Sequence, residues 1–341
     1  MLKPVHGEDA ELESNLKTFF EQDYPDFELI FCARTLEDGA LKLVRRMLPR
    51  YPNVAVRILA GGQPLWPNPR TFSVHTMIGH AEHSALVVTD SDVRVEQDFL
   101  RKIAAPLANR ANGLVTCLYR GVAEGGFWSK LEALGMSVEL MSNVLIANML
   151  EGMKFALGPA TATRKEHLAR IGGLESTSRY YADDFALGSS IAASGLTVIL
   201  SSTVVEHGVP RSSFREALRH QILWMKNNRF LRPKGHWGVG LTFAMPYAFL
   251  GFAASWCSGA RGWGLLWLAW GAFNCVARSI AVGWGVVKDR EALYRCWIYP
   301  LRDILGFVVW LLSFAGNRVY FRGEQYALLA GGKIERVASS S

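Results

Sequence analysis

The chain has 341 residues, half of them hydrophobic, and a formal net charge of +7 at neutral pH. That length allows two domains of ordinary size. The charge is modest and forms no basic stripe interleaved with aromatics outside the stretch before the apolar segments, so no nucleic acid is expected as partner. Cys32, Cys117, Cys257, Cys275 and Cys296 lie far apart, mostly in apolar runs, which excludes both zinc spacing and a disulfide framework. The opening Met1-Leu2-Lys3-Pro4 carries no signal-peptide pattern and enters a domain almost at once.

In chain order, residues 11–22 put Leu12, Leu16, Phe19 and Phe20 on one helical face, and Tyr24-Pro25 ends it. Residues 27–33 read as a buried strand and 40–48 as a helix closed by Pro49. Residues 54–59, 85–89 and 114–119 read as further strands. This alternation predicts an α/β sandwich around a mostly parallel sheet over residues 1–234. Residues 128–157, rich in Leu, Met and Phe, read either as an amphipathic helix on a membrane or as a core helix. Residues 214–230 form a predicted helix.

Three apolar segments follow. Residues 240–256 carry no charge, 263–287 carry only Arg278, and 298–316 carry Arg302 and Asp303 near their start. The first two are near the length that crosses a bilayer, and the third reads as a short span or an interfacial helix. About three membrane helices are thus predicted over residues 235–316, followed by a tail at 317–341. Lys226, Arg229, Arg232 and Lys234 precede the first segment, and Lys288, Arg290 and Arg295 lie between the second and third. The positive-inside rule then puts the preceding domain in the cytoplasm.

Four constellations carry candidate chemistry. The strand Ala85–Thr89 ends in Asp90-Ser91-Asp92, whose alternation points two carboxylates to one side. Such a pair suits Mg²⁺ or Mn²⁺ and a diphosphate, although Asp and Ser are also ordinary turn formers. Asp38 follows a strand and suits either a nucleobase or ribose contact or the N-cap of the next helix. Asp183-Asp184 sit beside Tyr181 and Phe185, where burial near a like charge suits a general base and a plain acidic helix start is the other reading. His220 and Trp224 lie one turn apart beside Gln221, as a surface for a sugar or lipid edge or as an interfacial anchor.

The residues Leu2-Lys3-Pro4-Val5-His6-Gly7, Phe19-Phe20-Glu21-Gln22-Asp23-Tyr24-Pro25, Asp90-Ser91-Asp92-Val93-Arg94-Val95 and Ala182-Asp183-Asp184-Phe185 together resemble the ceramide glucosyltransferase family of inverting membrane glycosyltransferases. Leu118-Tyr119-Arg120-Gly121, Pro300-Leu301-Arg302-Asp303 and Arg322-Gly323 resemble its bacterial branch, the hopanoid-associated enzymes. The resemblance implies a GT-A fold, a UDP-sugar donor, a membrane-lipid acceptor and a multi-pass protein of the bacterial inner membrane. It implies UDP-N-acetylglucosamine with a hopanoid polyol, or UDP-glucose with ceramide. By residue it matches Asp38, Asp90 and Asp184 to the family's three Asp positions, with Asp184 the general base, and Asp92, where some members have Gly, completes a divalent-metal pair with Asp90. The nucleotide sugar is thus expected on Asp38, Asp90 and Asp92, with Arg70 as an added cation. Asp183, His220, Gln221 and Trp224 become acceptor or sugar contacts.

The family's last motif is Gln/Arg-x-x-Arg-Trp, and here His220 and Leu223 stand at its first and fourth positions. Leu cannot hold a diphosphate as Arg does, so Arg70, Arg219 or Lys226 would have to substitute. The same change supports a second class of reading, a fold kept as a non-catalytic membrane scaffold. Relatives usually begin with a membrane helix and a fuller first strand, which sets the expectation of a shortened N-terminus or of anchoring through the C-terminal segments.

Overall fold

The computed structural model describes residues 1–321 and 324–337. Arg322-Gly323 and the Ser339-Ser340-Ser341 end lie outside the described residues. The chain divides into two compact units, the first made of Met1–Leu118, Glu151–His207 and Lys333–Glu335. The second holds Tyr119–Leu150, Gly208–Gly332 and the chain from Arg336.

An eight-stranded sheet organises the first unit. Its strands are β1 (Leu2–Pro4), β2 (Glu28–Ala33), β3 (Ala55–Ala60), β4 (Ala85–Thr89), β5 (Val93–Arg94), β6 (Asn112–Ala123), β7 (Ala160–Arg164) and β8 (Thr197–Val209), in the order β3-β2-β1-β4-β7-β6-β8-β5. β1 pairs in parallel with β2 (Lys3 opposite Phe31) and with β4 (Leu2 opposite Val88), and β2 pairs in parallel with β3. Three of these four, β2, β3 and β4, are strands that the alternation predicts, β1 is added to them, and the predicted strand 114–119 falls within β6. The other half departs from the parallel course: β7 runs antiparallel to β4 and β6, and β5 antiparallel to β8. Parallel neighbours need a crossover that returns the chain to the same end. The chain instead reaches β7 after the long excursion through residues 124–159, and starts it where β4 stops, with Ala160 opposite Thr89.

Helices cover both faces of the parallel half. Ile30 and Cys32 share a core with Val74 and Met77 of the helix Pro69–His80, and with Leu2, Leu86 and Leu114. Alternation turns Phe31 to the opposite face, where it stacks on Phe20 of the helix Leu12–Phe20 at 5.9 Å. Each such side chain, taken fully out of water, contributes about 1.5–3 kcal/mol. The helix Asp183–Ala193 packs against the strand-like segment before β7 through Gly188, where an added Cβ would lie 2.3 Å from the Ala156 nitrogen.

The second unit is helical. Phe127–Glu151 is one long helix with a π-helical turn at Met136–Leu140, and Arg261–Trp284 is another that ends in the π-helical segment Ser279–Trp284. Both are long and apolar enough to cross a membrane. The first of them lies outside the predicted span region 235–316. The segment 240–256 differs from expectation: its helix starts only at Met245, bent by 50° from the preceding helix Pro233–Gly240. Two causes meet there: Pro246 stands in its first turn, and Asp303 Oδ2, from a distant segment, accepts from the Ala244 and Met245 amides at 2.9 and 2.8 Å. The third segment forms the helix Tyr299–Leu312, whose 14 residues fall short of the roughly 20 that a crossing needs.

Polarity is reversed in this unit. Trp263, Leu265, Leu266, Trp270 and Phe273 are exposed along Arg261–Arg278, while Arg302 and Glu139 are buried and paired at 3.0 Å. Room for the guanidinium exists only because Gly135 and Gly306 have no side chain, and a Cβ at Gly306 would meet Glu139 Oε2 at 2.6 Å. The five cysteines are all free thiols, as their spacing predicts.

Gly188→Ala tests the packing of the first unit. It should lower stability by about 1–3 kcal/mol, because backbone atoms and not a flexible side chain meet the new methyl. A thermal midpoint equal to that of the unsubstituted protein would refute the close approach.

Candidate active site

Four charged side chains meet at the carboxyl end of β4. Asn68 caps the helix Pro69–His80, accepting from the Arg70 amide at 3.0 Å, with Pro69 supplying the preset first turn. The same Asn68 donates from Nδ2 to the Tyr180 carbonyl at 3.1 Å, tying this helix start to the segment before Asp183. Arg70 then donates from Nε to Asp90 Oδ1 at 2.7 Å and from Nη1 to Asp183 Oδ2 at 2.8 Å, and Thr71 Oγ1 donates to that same Asp183 oxygen at 3.0 Å. Arg70 Nη2 reaches the Gly158 carbonyl at 3.3 Å.

Gly158 is where the antiparallel course of β7 matters. A Cβ there would lie 3.1 Å from Asp184 Oδ2 and 3.8 Å from Asp90 Oδ2, so these two carboxylates converge on a position that only glycine leaves open. Burial first, and the Asp183 charge second, push the Asp184 carboxyl up from its ordinary 3.8 to about 7, against the pull of Arg70. Both aspartates lie in the first turn of their helix, where its dipole favours negative charge.

Lys3 completes the surroundings. It is fully buried, on the same sheet face as Phe31, with Nζ 3.5 Å above the Phe19 ring and 2.6 Å from the Asp90 carbonyl oxygen. Burial pulls its ammonium down to about 7, against the Asp90 and Asp92 carboxylates. From farther along the chain, the Ile334 amide donates to the Arg179 carbonyl at 2.7 Å and Lys333 bridges to Tyr180, supporting the segment that leads into Asp183.

Asp92 lies two residues beyond Asp90, with Oδ2 3.8 Å from His207 Nε2. Its Oδ1 is buried and has no hydrogen-bond partner among the described residues. An orphaned hard oxygen beside a second carboxylate fits a divalent cation that takes its other ligands from phosphate and water. Among the described residues no group of three or more His, Cys, Asp or Glu gathers as a metal cluster. Asp38 takes the helix-capping role: Oδ1 accepts from the Ala40 and Gly7 amides, both at 2.9 Å, and Oδ2 lies 3.2 Å from His6 Nδ1.

His220, Gln221 and Trp224 belong to the second unit, on the helix Phe214–Leu231. A capping box closes its start, with Ser213 and Glu216 each bonding the other's backbone amide. Trp224 Nε1 donates to His220 Nε2 at 2.8 Å. Leu223, at the position of the family Arg, is buried in its own unit, and Gln221 Oε1 is buried with no hydrogen-bond partner among the described residues. Lys3, Thr71, Gly158 and His207 were not singled out from sequence. Of these only Lys3 left a signal, a charge inside an otherwise apolar strand.

Residues 1–334 match the model of glycosyl transferase family 21. The chain belongs to that family. Ceramide glucosyltransferase 1 of Caenorhabditis elegans is 26% identical over 203 residues, covering 59% of this chain and 43% of that protein. Ceramide glucosyltransferase 3 of the same organism is 25% identical over 227 residues, covering 66% and 49%. The matched regions thus span less than half the length of these two relatives. Among solved structures, a mannosyltransferase from Pyrobaculum calidifontis, in complex with GDP-Man and Mn²⁺, superposes with a TM-score of 0.53 at 19% identity. The superposition covers 92% of this chain and 86% of that one. The likeness shows the GT-A glycosyltransferase fold that the sequence motifs imply.

Arg70→Leu should leave Asp90, Asp183 and Asp184 without their shared cation and cost about 1–3 kcal/mol at pH 8, allowing for partial exposure of the cluster. The folded state binds the Asp184 proton more tightly than the unfolded chain does, so this carboxyl withdraws stability as pH rises through about 7. The Arg70→Leu deficit should therefore shrink at pH 5, where that carboxyl is protonated. Thermal midpoints of both proteins at pH 5 and 8 measure it, and equal deficits at the two pH values would contradict the ion-pair account.

Proposed function

We propose that this family 21 protein transfers a sugar from a UDP-sugar to a hydroxyl of a ceramide-type membrane lipid, with inversion at the anomeric carbon. The observation that carries the reading is the convergence of Asp90 and Asp184 on Gly158, with Arg70 bridging Asp90 to Asp183. A base with a pKa near 7 is matched to taking a hydroxyl proton at neutral pH. In a direct displacement Asp184 removes the acceptor proton as the lipid oxygen bonds to the anomeric carbon and the bond to the diphosphate breaks. Asp90 and Asp92 would hold a divalent Mg²⁺ or Mn²⁺, whose chemistry there is neutralisation of the leaving diphosphate.

Arg70 supplies the guanidinium that Leu223 does not, and its present carboxylate partners give way to phosphate oxygens when the donor binds. Asp38 contacts the uridine while it caps its helix. His220, Gln221 and Trp224 are assigned to the acceptor or the sugar. The two helices able to cross a membrane keep the protein where such an acceptor resides, with the donor-binding unit on the cytoplasmic side of a bacterial inner membrane.

Ceramide stands ahead of the hopanoid polyol because both relatives named above are ceramide glucosyltransferases. The hopanoid reading, with UDP-N-acetylglucosamine, rests on the Pro300-Leu301-Arg302-Asp303 segment and enters as an arm of the test.

Detergent-purified protein with Mn²⁺ or Mg²⁺ is assayed for UDP release, crossing UDP-glucose and UDP-N-acetylglucosamine with ceramide and a hopanoid polyol. Release that requires ceramide and is lost with EDTA is expected, and release with the polyol alone would exchange the acceptor. Asp184→Asn should lower kcat by about 10²- to 10⁴-fold while UDP still binds. In the unsubstituted protein kcat should rise tenfold per pH unit below about 7 and level off above it. Folded protein that binds UDP and releases none with any pair would move the reading to the scaffold.

A further inference from the structure

The second unit contains a hydrogen-bonded chain that the donor chemistry leaves unused. Glu132 is buried on the helix Phe127–Gly135, within the longer apolar helix Phe127–Glu151. An ionisable side chain in such a helix is costly unless it is paired. Its partner is His220, with Glu132 Oε1 2.5 Å from Nδ1. The other ring nitrogen, Nε2, lies 2.8 Å from Trp224 Nε1.

The protonation pattern follows from what each group can do. An indole N–H only donates, so His220 Nε2 must be the bare, accepting nitrogen. The ring proton of the neutral imidazole then sits on Nδ1 and is donated to Glu132. Carboxylate partners fix histidine tautomers in this way wherever one ring nitrogen has to stay available.

The surroundings say what that nitrogen can receive. Trp128 packs on Phe214 at 4.6 Å and on Phe127 at 5.0 Å, and Phe127, Phe214 and Trp224 are all exposed. One hydrogen-bond acceptor beside the exposed Trp224, on two helices that also carry the exposed Phe127 and Phe214, suits an amphiphile with a hydroxyl on its head group.

We propose that Glu132 is a positioning residue: by holding His220 in the Nδ1–H tautomer it presents Nε2 as the acceptor for a head-group hydroxyl of the lipid, and the Trp224 indole occupies that seat until the lipid arrives. The inference rests on the lipid-acceptor reading above and adds the group that orients His220. It also names the property selected, a hydroxyl that can donate, as against an ether of the same shape.

The test uses the full chain in detergent with ¹⁵N-labelled histidine, His220 being assigned among the eight histidines by loss of its signals in His220→Gln. In the unsubstituted protein the Nε2 resonance should sit where an unprotonated acceptor nitrogen does. It should shift on adding ceramide and stay in place with ceramide whose two hydroxyls are methylated.

In Glu132→Leu nothing accepts the Nδ1 proton, so the Nδ1–H tautomer loses its partner, the Nε2 resonance should move toward the protonated position and the ceramide response should weaken. The KM for the lipid should rise about tenfold with UDP affinity unchanged, and Glu132→Asp should restore the tautomer in part. A protonated Nε2 in the unsubstituted protein, or equal shifts with ceramide and its dimethyl ether, would overturn the inference without any variant. So would an unchanged tautomer in folded Glu132→Leu. The two readings fail separately: a ceramide-dependent Nε2 shift without sugar transfer sinks the transferase and keeps the seat, and transfer without the shift does the reverse.

Discussion

One guanidinium among three carboxylates is the constraint on which the first unit depends. Arg70 is held by Asp90 from the end of a strand and by Asp183 from the start of a helix, two elements that neighbour each other only because β7 runs antiparallel beside β4. Each charge there would be costly alone, and Asp90 and Asp183 are tolerable because each has the Arg70 guanidinium at hydrogen-bonding distance. The arrangement leaves Asp184 as the group with the least compensation, which is why its proton is held to neutral pH. A site built this way is tense at rest, and a ligand that brings negative charge has a ready cation to meet.

The second unit solves a different problem with the opposite distribution of polarity. Its aromatic and aliphatic side chains face outward along Arg261–Arg278, and its ion pair, Glu139 with Arg302, is inside. In water the first feature would be a liability and the second an expense; in lipid the first costs nothing, and the second fixes the register of two helices. The glycines at 135 and 306 are what allow an arginine to lie between these helices.

Much of this was legible in the sequence. The strand Ala85–Thr89 with its carboxylates, the helix beginning at Phe214 and three of the four parallel strands, β2, β3 and β4, follow from apolar periodicity and capping residues, which are local signals; the three-residue β1 is too short to leave such a signal. The antiparallel half was not legible, because β7 reads Ala-Thr-Ala-Thr-Arg and its direction is set by a partner some 70 residues away. The late start of the helix at Met245 depends on Asp303, again a distant residue. At the site, Asp90, Asp183, Asp184 and Arg70 do come together in the first unit, whereas Lys3 and Gly158 earn their places only through register and close approach. Glu132 gave no sequence signal, since a single acid in an apolar helix reads as a surface position until its histidine partner is seen.

The strap at Lys333–Glu335 bears on the order in which the molecule is made. It supports the Arg179-Tyr180 segment just ahead of the two aspartates, yet more than 150 residues separate the two in the chain, including the helix Arg261–Trp284. A ribosome delivers that helix before the strap. The nascent protein therefore passes through a stage in which its apolar part is already synthesised while the carboxylate site lacks one of its supports. Completion of the site is in this sense deferred until the long apolar helices have left the ribosome.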